Sequence, residues 1–270
     1  MATAKWLGTA SLELEQDGEI LLIDPHLSRL NKRRTFLHKI RPDEEKIDRY
    51  LGEVKGQIAG ILVTHAHHDH LMDAPYLAQK LGVPVWGNES VDTFMRLHGL
   101  PGCPLVLQGG ERFNLGPFEI EPIKTRHGLV MAGRVPFPGQ INPHSRPPLW
   151  VWEYRHGMPP LAVLVSAGGQ TLFHLGTANI IDNLLPRRAV DSAWLCISGY
   201  NYTPQFCERI ADKIKAKRFI PFHFEDFSAP LAGKMSYIPG CDPKAYKEKQ
   251  LACAPGVEVI IPKPYETIPL

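Results

Sequence analysis

Four residues with metal-binding side chains, His65, His67, Asp69 and His70, fall within six positions of a 270-residue chain. They stand in the run Thr64-His65-Ala66-His67-His68-Asp69-His70, directly behind the apolar stretch 58–63. Imidazole nitrogens and carboxylate oxygens are the donors that zinc, iron and manganese accept. His65 and His67 are two residues apart, which in extended backbone places both rings on one side. Asp69 and His70 come where the chain turns toward a helix, so they can address a second site beside the first. A strand ending in a loop is also where open α/β sheets place their ligands. A histidine-rich surface turn is the simpler alternative, but it does not account for four ligand-type residues in this order behind a buried strand.

The elements that must hold the cluster can be read on both sides of it. Residues 5–14 and 19–24 read as two strands turned at Gln16-Asp17-Gly18, with Asp24-Pro25 ending the second. Residues 42–53 read as a helix with Pro42 near its first turn. Asp73 opens a helix to about Lys80, closed by Gly82; 83–86 is a short strand and 89–98 a helix. Short strands fill 105–125. Residues 161–166 and 170–175 form a second hairpin turned at Gly168-Gly169, followed by a strand over 193–198, a helix over 204–216 and a strand over 218–222 leading to His223. Strands and helices interleave in both halves, which suits two mixed sheets packed face to face with helices outside. The segment 130–160 breaks the pattern. It holds seven of the 25 prolines and the aromatics Phe137, Trp150, Trp152 and Tyr154, and reads as an ordered lid over a single domain spanning 1–270. Trp150, Trp152 and Arg146 suggest a partly apolar pocket that accepts an anionic group.

Composition narrows the function. Hydrophobic residues make up 44% and charged residues 21%, with a net charge of +2, so a folded domain is expected and a nucleic-acid groove is not. The densest basic run, Lys32-Arg33-Arg34, reads as a solvated loop. Five cysteines without a C-x-x-C pair imply free thiols rather than a disulfide scaffold. No secretory h-region and no membrane-length apolar run is visible, so a cytoplasmic protein with a small-molecule substrate is expected.

At this point the chain resembles the metallo-β-lactamase superfamily. His65, His67, Asp69 and His70 match its H-x-H-x-D-H signature. Trp6-Leu7-Gly8-Thr9-Ala10-Ser11 and Leu22-Ile23-Asp24-Pro25 look like its first hairpin, and the likeness continues through Pro221-Phe222-His223-Phe224-Glu225-Asp226-Phe227. The resemblance implies a four-layer αββα sandwich with metals at one edge between the sheets. It also implies His127 as the third ligand of a first site and His223 as the last ligand of a second. The metal set is then His65, His67 and His127 together with Asp69, His70 and His223. One departure matters: Gly176-Thr177 stands where the family usually has Gly-Asp, whose carboxylate bridges two metals. A neutral hydroxyl is a weaker ligand and removes a charge that would offset two dications. The first site is therefore expected to persist, and the second to be weaker or empty. Asp182 is a remote substitute carboxylate.

The expected chemistry is attack of metal-activated water on an ester, lactone or phosphodiester, with one or two zinc ions, or manganese or iron. Asp69 and His223 are the catalytic candidates, as proton acceptor and leaving-group acid. Asp24 reads either as support for a ligand histidine or as a strand-end cap. Glu225 or Asp226 could stand behind a ligand, and Tyr200 and Tyr202 could touch substrate or simply pack. His68 reads as a spacer pointing away, Cys196 as core, and His26, His38, His98, His144, His156 and His174 as ordinary. Two other readings stay open: a dinuclear iron redox or oxygen-handling protein on the same fold, which needs the bridging carboxylate more, and a non-catalytic metal-binding module.

Overall fold

Leu21 and Ile23 fall in one apolar cluster of the protein, and their neighbours Ile20 and Leu22 in another. Side chains alternate along a strand, so this strand is covered on both faces and must lie in an inner layer. The computed structural model describes residues 1–130, 133–231, 233 and 235–270. The first half contains β1 (Thr3–Gly8), β2 (Ser11–Gln16), β3 (Glu19–Ile23), α1 (Lys32–Leu37), α2 (Glu44–Glu53), β4 (Gln57–Leu62), α3 (His68–Leu71), α4 (Ala74–Leu81), β5 (Val85–Trp86) and α5 (Glu89–Leu97). There follow β6 (Phe113–Leu115), β7 (Phe118–Lys124), β8 (Leu161–Ala167), β9 (Gln170–Leu175), β10 (Arg188–Cys196), α6 (Phe206–Lys213), β11 (Ile214–Phe222), α7 (Pro243–Cys253), β12 (Glu258–Val259) and β13 (Thr267–Pro269).

Two mixed sheets result, in the orders β13-β1-β2-β3-β4-β5 and β12-β11-β10-β9-β8-β7-β6. In each, antiparallel hairpins give way to parallel strands, at β3–β4 in the first and at β9–β10 in the second. The larger apolar cluster joins Trp6, Leu12 and Leu62 of the first sheet to Phe118, Val163 and Trp194 of the second. The smaller one joins Ile61 and Val63 to Ile47, Leu77 and Phe94 of the helices outside the first sheet. α6 and α7 pack on β11 of the second. This is the expected αββα sandwich. No described helix is long and apolar enough to cross a membrane, and the five cysteines are free.

Several boundaries differ from the sequence reading. The stretch 5–14 is two strands, because the chain reverses at Thr9 (φ 51). The helix expected over 204–216 ends at Lys213, and Ile214 already pairs with Arg188 in β11 and β10. The helices α1 and α7 and the edge strands β12 and β13 were not expected. Of the proposed lid, 131 and 132 lie outside the described residues. The rest is tied down: Ile40 N donates to Leu149 O at 2.7 Å and Ala66 N to His156 O at 2.8 Å. Ile141, Leu149, Val151 and Tyr154 are buried against the helical layer.

Asp73 shows how the loops near the cluster are held. It precedes α4, which Gly82 closes in the left-handed conformation that glycine adopts without cost (φ 68). Its carboxylate is fully buried and accepts from Leu27 N (2.6 Å), Ser28 N (2.8 Å) and Ser28 Oγ (2.5 Å). Burial outweighs these bonds and pushes the carboxyl up to about 6. Between about pH 4 and pH 6 the native state therefore keeps a proton that the unfolded chain releases, and stability falls as pH rises through that window. The two-unit difference corresponds to about 3 kcal/mol. Denaturant titrations across this range should show the decline in the wild type and a shallower profile in Asp73→Asn; parallel profiles would refute the assignment.

Candidate metal centre

His65 and His67 follow β4, His67 in extended backbone (φ −65, ψ 154), and His127 follows β7 on the facing sheet. Their ligand atoms lie within 4.8 Å of one another, and their ring centroids are 4.7–4.9 Å apart. Each ring has one nitrogen engaged away from the common point. His127 Nδ1 meets Gly128 O at 2.7 Å and His67 Nε2 meets Pro136 O at 2.9 Å, so both nitrogens carry the proton. Thr64 Oγ1 donates to Asp24 Oδ2 at 2.6 Å, which leaves its oxygen to accept from His65 Nδ1 at 3.2 Å. His65 Nε2 is buried with no hydrogen-bond partner. A bare buried imidazole nitrogen is costly unless something occupies it, and with ligand atoms of His67 and His127 within 4.8 Å the group suits a metal ion.

Asp69 and His70 start α3, and His223 follows β11 with a left-handed backbone (φ 58) that turns its ring back toward them. These three also have ligand atoms within 4.8 Å of one another. His223 Nε2 is 3.2 Å and His70 Nε2 3.9 Å from Asp69 Oδ2. His70 Nδ1 lies 2.8 Å from Asp24 Oδ2, a close but bent contact. Asp24 is thus both strand-end cap and ligand support: its Oδ1 also accepts from Thr64 N at 2.7 Å. The clusters adjoin, with the rings of His65 and His70 3.8 Å apart.

Burial sets the charge state of the first cluster. It lowers the pKa of His65 and His67 well below the ordinary value and brings His127 down to about 3, so all three are neutral, as ligands must be. In the second cluster burial is outweighed. It would raise Asp69, but His70, His223 and His68 hold that carboxyl well below the usual range. It would lower His70, but Asp24 and Asp69 raise it.

Thr177 lines the same cavity as the clusters. Its hydroxyl accepts from Gly128 N at 2.7 Å and so clamps the loop that carries His127. Gly176 is required beside it, since a Cβ there would collide with Thr64 Oγ1 and approach Asp24 Oδ2 to 2.9 Å.

A cavity of about 430 Å³ opens over both clusters. His68 lines it, 5.9 Å from Phe227 between ring centroids, so it does not point away as the spacing suggested. Trp150, Trp152 and Arg146 are absent from the lining; the two indoles stack on each other, and Pro136, Phe137 and Val151 of the same segment form the wall instead. Asp182 is engaged by Arg209 at 2.6 Å on the surface. Tyr200 packs against Tyr246, and neither it nor Tyr202 reaches this cavity. Glu225 is buried on Thr9 N (2.6 Å) and Arg29 Nη1 (2.9 Å), away from the ligands. Asp226 lines the mouth. Cys196 is core that also reaches the cavity. His156 stacks on His127 with centroids 5.7 Å apart, a packing role. Thr64 was missed; its position directly before the first histidine was the available signal. The wall residues 227–228 and 237–239 had no signal in pattern or spacing.

Comparison with known proteins agrees with this geometry. The family model of the metallo-beta-lactamase superfamily matches residues 4–176. A metal-dependent hydrolase of Carboxydothermus hydrogenoformans is 25% identical over 262 residues, covering 95% of this chain and 96% of its own. Among solved structures, a metallo hydrolase from the archaeon Ignicoccus hospitalis superposes with a TM-score of 0.64 at 18% identity, covering 99% of this chain and 97% of its own. A diiron beta-hydroxylase from Streptomyces venezuelae gives 0.63 at 14% identity, over 100% of this chain and 54% of its own; at these identities the likeness is one of fold.

The Thr177 clamp predicts a graded metal-binding defect. Thr177→Val should weaken the tightest metal about tenfold, the low end for support residues of this kind, while Thr177→Ser should stay near wild type. Competition with a chromophoric chelator reads both, and equal affinities for the two variants would dismiss the clamp.

Proposed function

Because the chain belongs to the metallo-β-lactamase superfamily, we propose that it is a metal-dependent hydrolase of a small-molecule ester, lactone or phosphodiester. The observation that carries this reading is the convergence of two ligand triplets, His65–His67–His127 and Asp69–His70–His223, buried except for a half-buried His127, beneath one cavity. His65, His67 and His127 would hold the principal ion, for which zinc is our choice. When bound, such an ion acidifies water and polarises the scissile oxygen.

The chain's own residues supply the rest. Asp69, ionised and 3.2 Å from His223 Nε2, orients the attacking water and takes up its proton at Oδ2. His223 passes a proton from Nε2 to the leaving oxygen. Asp24, through Thr64 at His65 and directly at His70 Nδ1, holds the ring orientation of one ligand in each triplet. The covering segment 130–160 contributes Pro136 and Phe137 over His67 and keeps bulk water from the floor. The second triplet would bind an ion more weakly, because Thr177 brings no bridging charge. The same lack counts against a dinuclear iron oxidant.

Metal analysis of protein purified without added metal should find about one tightly held ion per chain; two would sink the single-ion version. Chelation and His67→Ala should each reduce hydrolysis of aryl esters and bis-aryl phosphates to background, and Asp69→Asn should cost about 10²–10⁴-fold in kcat. Tight metal binding with no turnover across that panel, and no change on His67→Ala, would leave a binding module instead.

A further inference from the structure

The floor and the walls of the cavity differ in chemistry. The floor is the two ligand triplets. The walls are Phe36 of α1, Val130, Phe137 and Val151 of the covering segment, and Phe227 and Ile238 of the chain after β11. The aromatic walls reach down to the ligands. Phe137 stands edge-on to His67 with centroids 6.5 Å apart, and Phe227 edge-on to His223 at 5.7 Å. Apart from the histidines and Asp69, the charged residues among the described lining are Lys32 and Asp226, and these face each other at 2.8 Å. The pair satisfies itself and holds α1 to the chain after β11.

From this contrast we infer the substrate class: the group beside the scissile bond is uncharged and apolar, an aryl or branched alkyl group, and not a second anionic group. This rests on the hydrolase reading above for the identity of the floor. An anionic tail would lose its hydration among Phe36, Phe137 and Phe227, and the one lysine or arginine among the described lining residues, Lys32, is already paired with Asp226. An apolar tail would remove those rings from water. A cavity of about 430 Å³ suits a tail of one ring or a short branched chain and is within the usual range for small-molecule sites. The lid reading from Arg146, an anion-accepting pocket, is thereby reversed.

The test compares two carboxylates that share one end and differ at the other, 4-phenylbutanoate and adipate, binding to the metal-loaded protein by calorimetry. The aryl compound should bind tighter by about tenfold or more. Phe36→Lys, at a half-exposed position on the cavity mouth, should narrow or reverse the preference. Phe227→Ala should weaken the aryl compound and leave adipate unchanged. Adipate binding as tightly as the aryl acid, or neither binding, would overturn the inference. Because no turnover is involved, an aryl preference in a protein that hydrolyses nothing would support the apolar chamber while removing the hydrolase reading.

Discussion

The buried carboxylate of Asp24 is the interaction on which the centre depends. Moving an ionised carboxylate out of water costs several kcal/mol unless donors surround it. Asp24 is fully buried and meets Thr64 N, Thr64 Oγ1 and His70 Nδ1. Through the Thr64 hydroxyl it reaches His65, a member of the first triplet; through His70 it reaches the second. One charge therefore fixes a ring orientation in each group. It also ties the end of β3 to the end of β4, adjacent parallel strands. The left-handed backbone at Asp24 (φ 48) is tolerable for aspartate and is held by these contacts. Gly176 belongs to the same constraint, because only a residue without a side chain lets the facing sheet come this close.

Charge balance follows from the same inventory. The first triplet is neutral, and the second contains one carboxylate, Asp69. Two dications side by side would repel strongly in this buried setting. Asp24 stands behind His70 and supplies a further negative charge at short range, but it is committed to hydrogen bonds. Where a bridging carboxylate would stand, Thr177 holds the His127 loop instead. Its side chain has exchanged an electrostatic task for a positioning one.

The cavity is closed by segments far apart in the chain: α1, the cover over 130–160, and the chain after β11. Two ionic links join the first of these, with the chain just before it, to the last. Arg29 binds Glu225, 196 positions away, in a nearly solvent-free pair, and Lys32 binds Asp226 at the surface. The buried pair also receives Thr9 N, so the turn between β1 and β2 is locked to the same wall. Apolar walls beside a polar floor lower the local dielectric where the ligands converge, which strengthens electrostatic interactions there.

The order His65-x-His67-x-Asp69-His70 behind a buried strand pointed, from sequence alone, to the donor types, the strand end that carries them and the two groups in which the structure brings them together. These are local facts, set by a two-residue repeat and a strand-to-helix turn. The family likeness added His127, His223 and the αββα layering. What only tertiary structure decided concerns contacts between distant segments. Spacing could not say that His68 faces the cavity, that Thr64 relays Asp24 to His65, or that Thr177 turns to Gly128. It could not replace Trp150 and Trp152 with Phe137 and Phe227 as the walls. The helices α1 and α7 were likewise hidden. α1 is short, with the apolar Phe36 and Leu37 exposed beside Lys32, Arg33 and Arg34 and only Thr35 buried, and α7 buries Pro243, Tyr246 and Gln250 without a regular apolar stripe. Periodicity reports which residues need burial, whereas the partner that buries them is set by how two sheets and three distant loops meet.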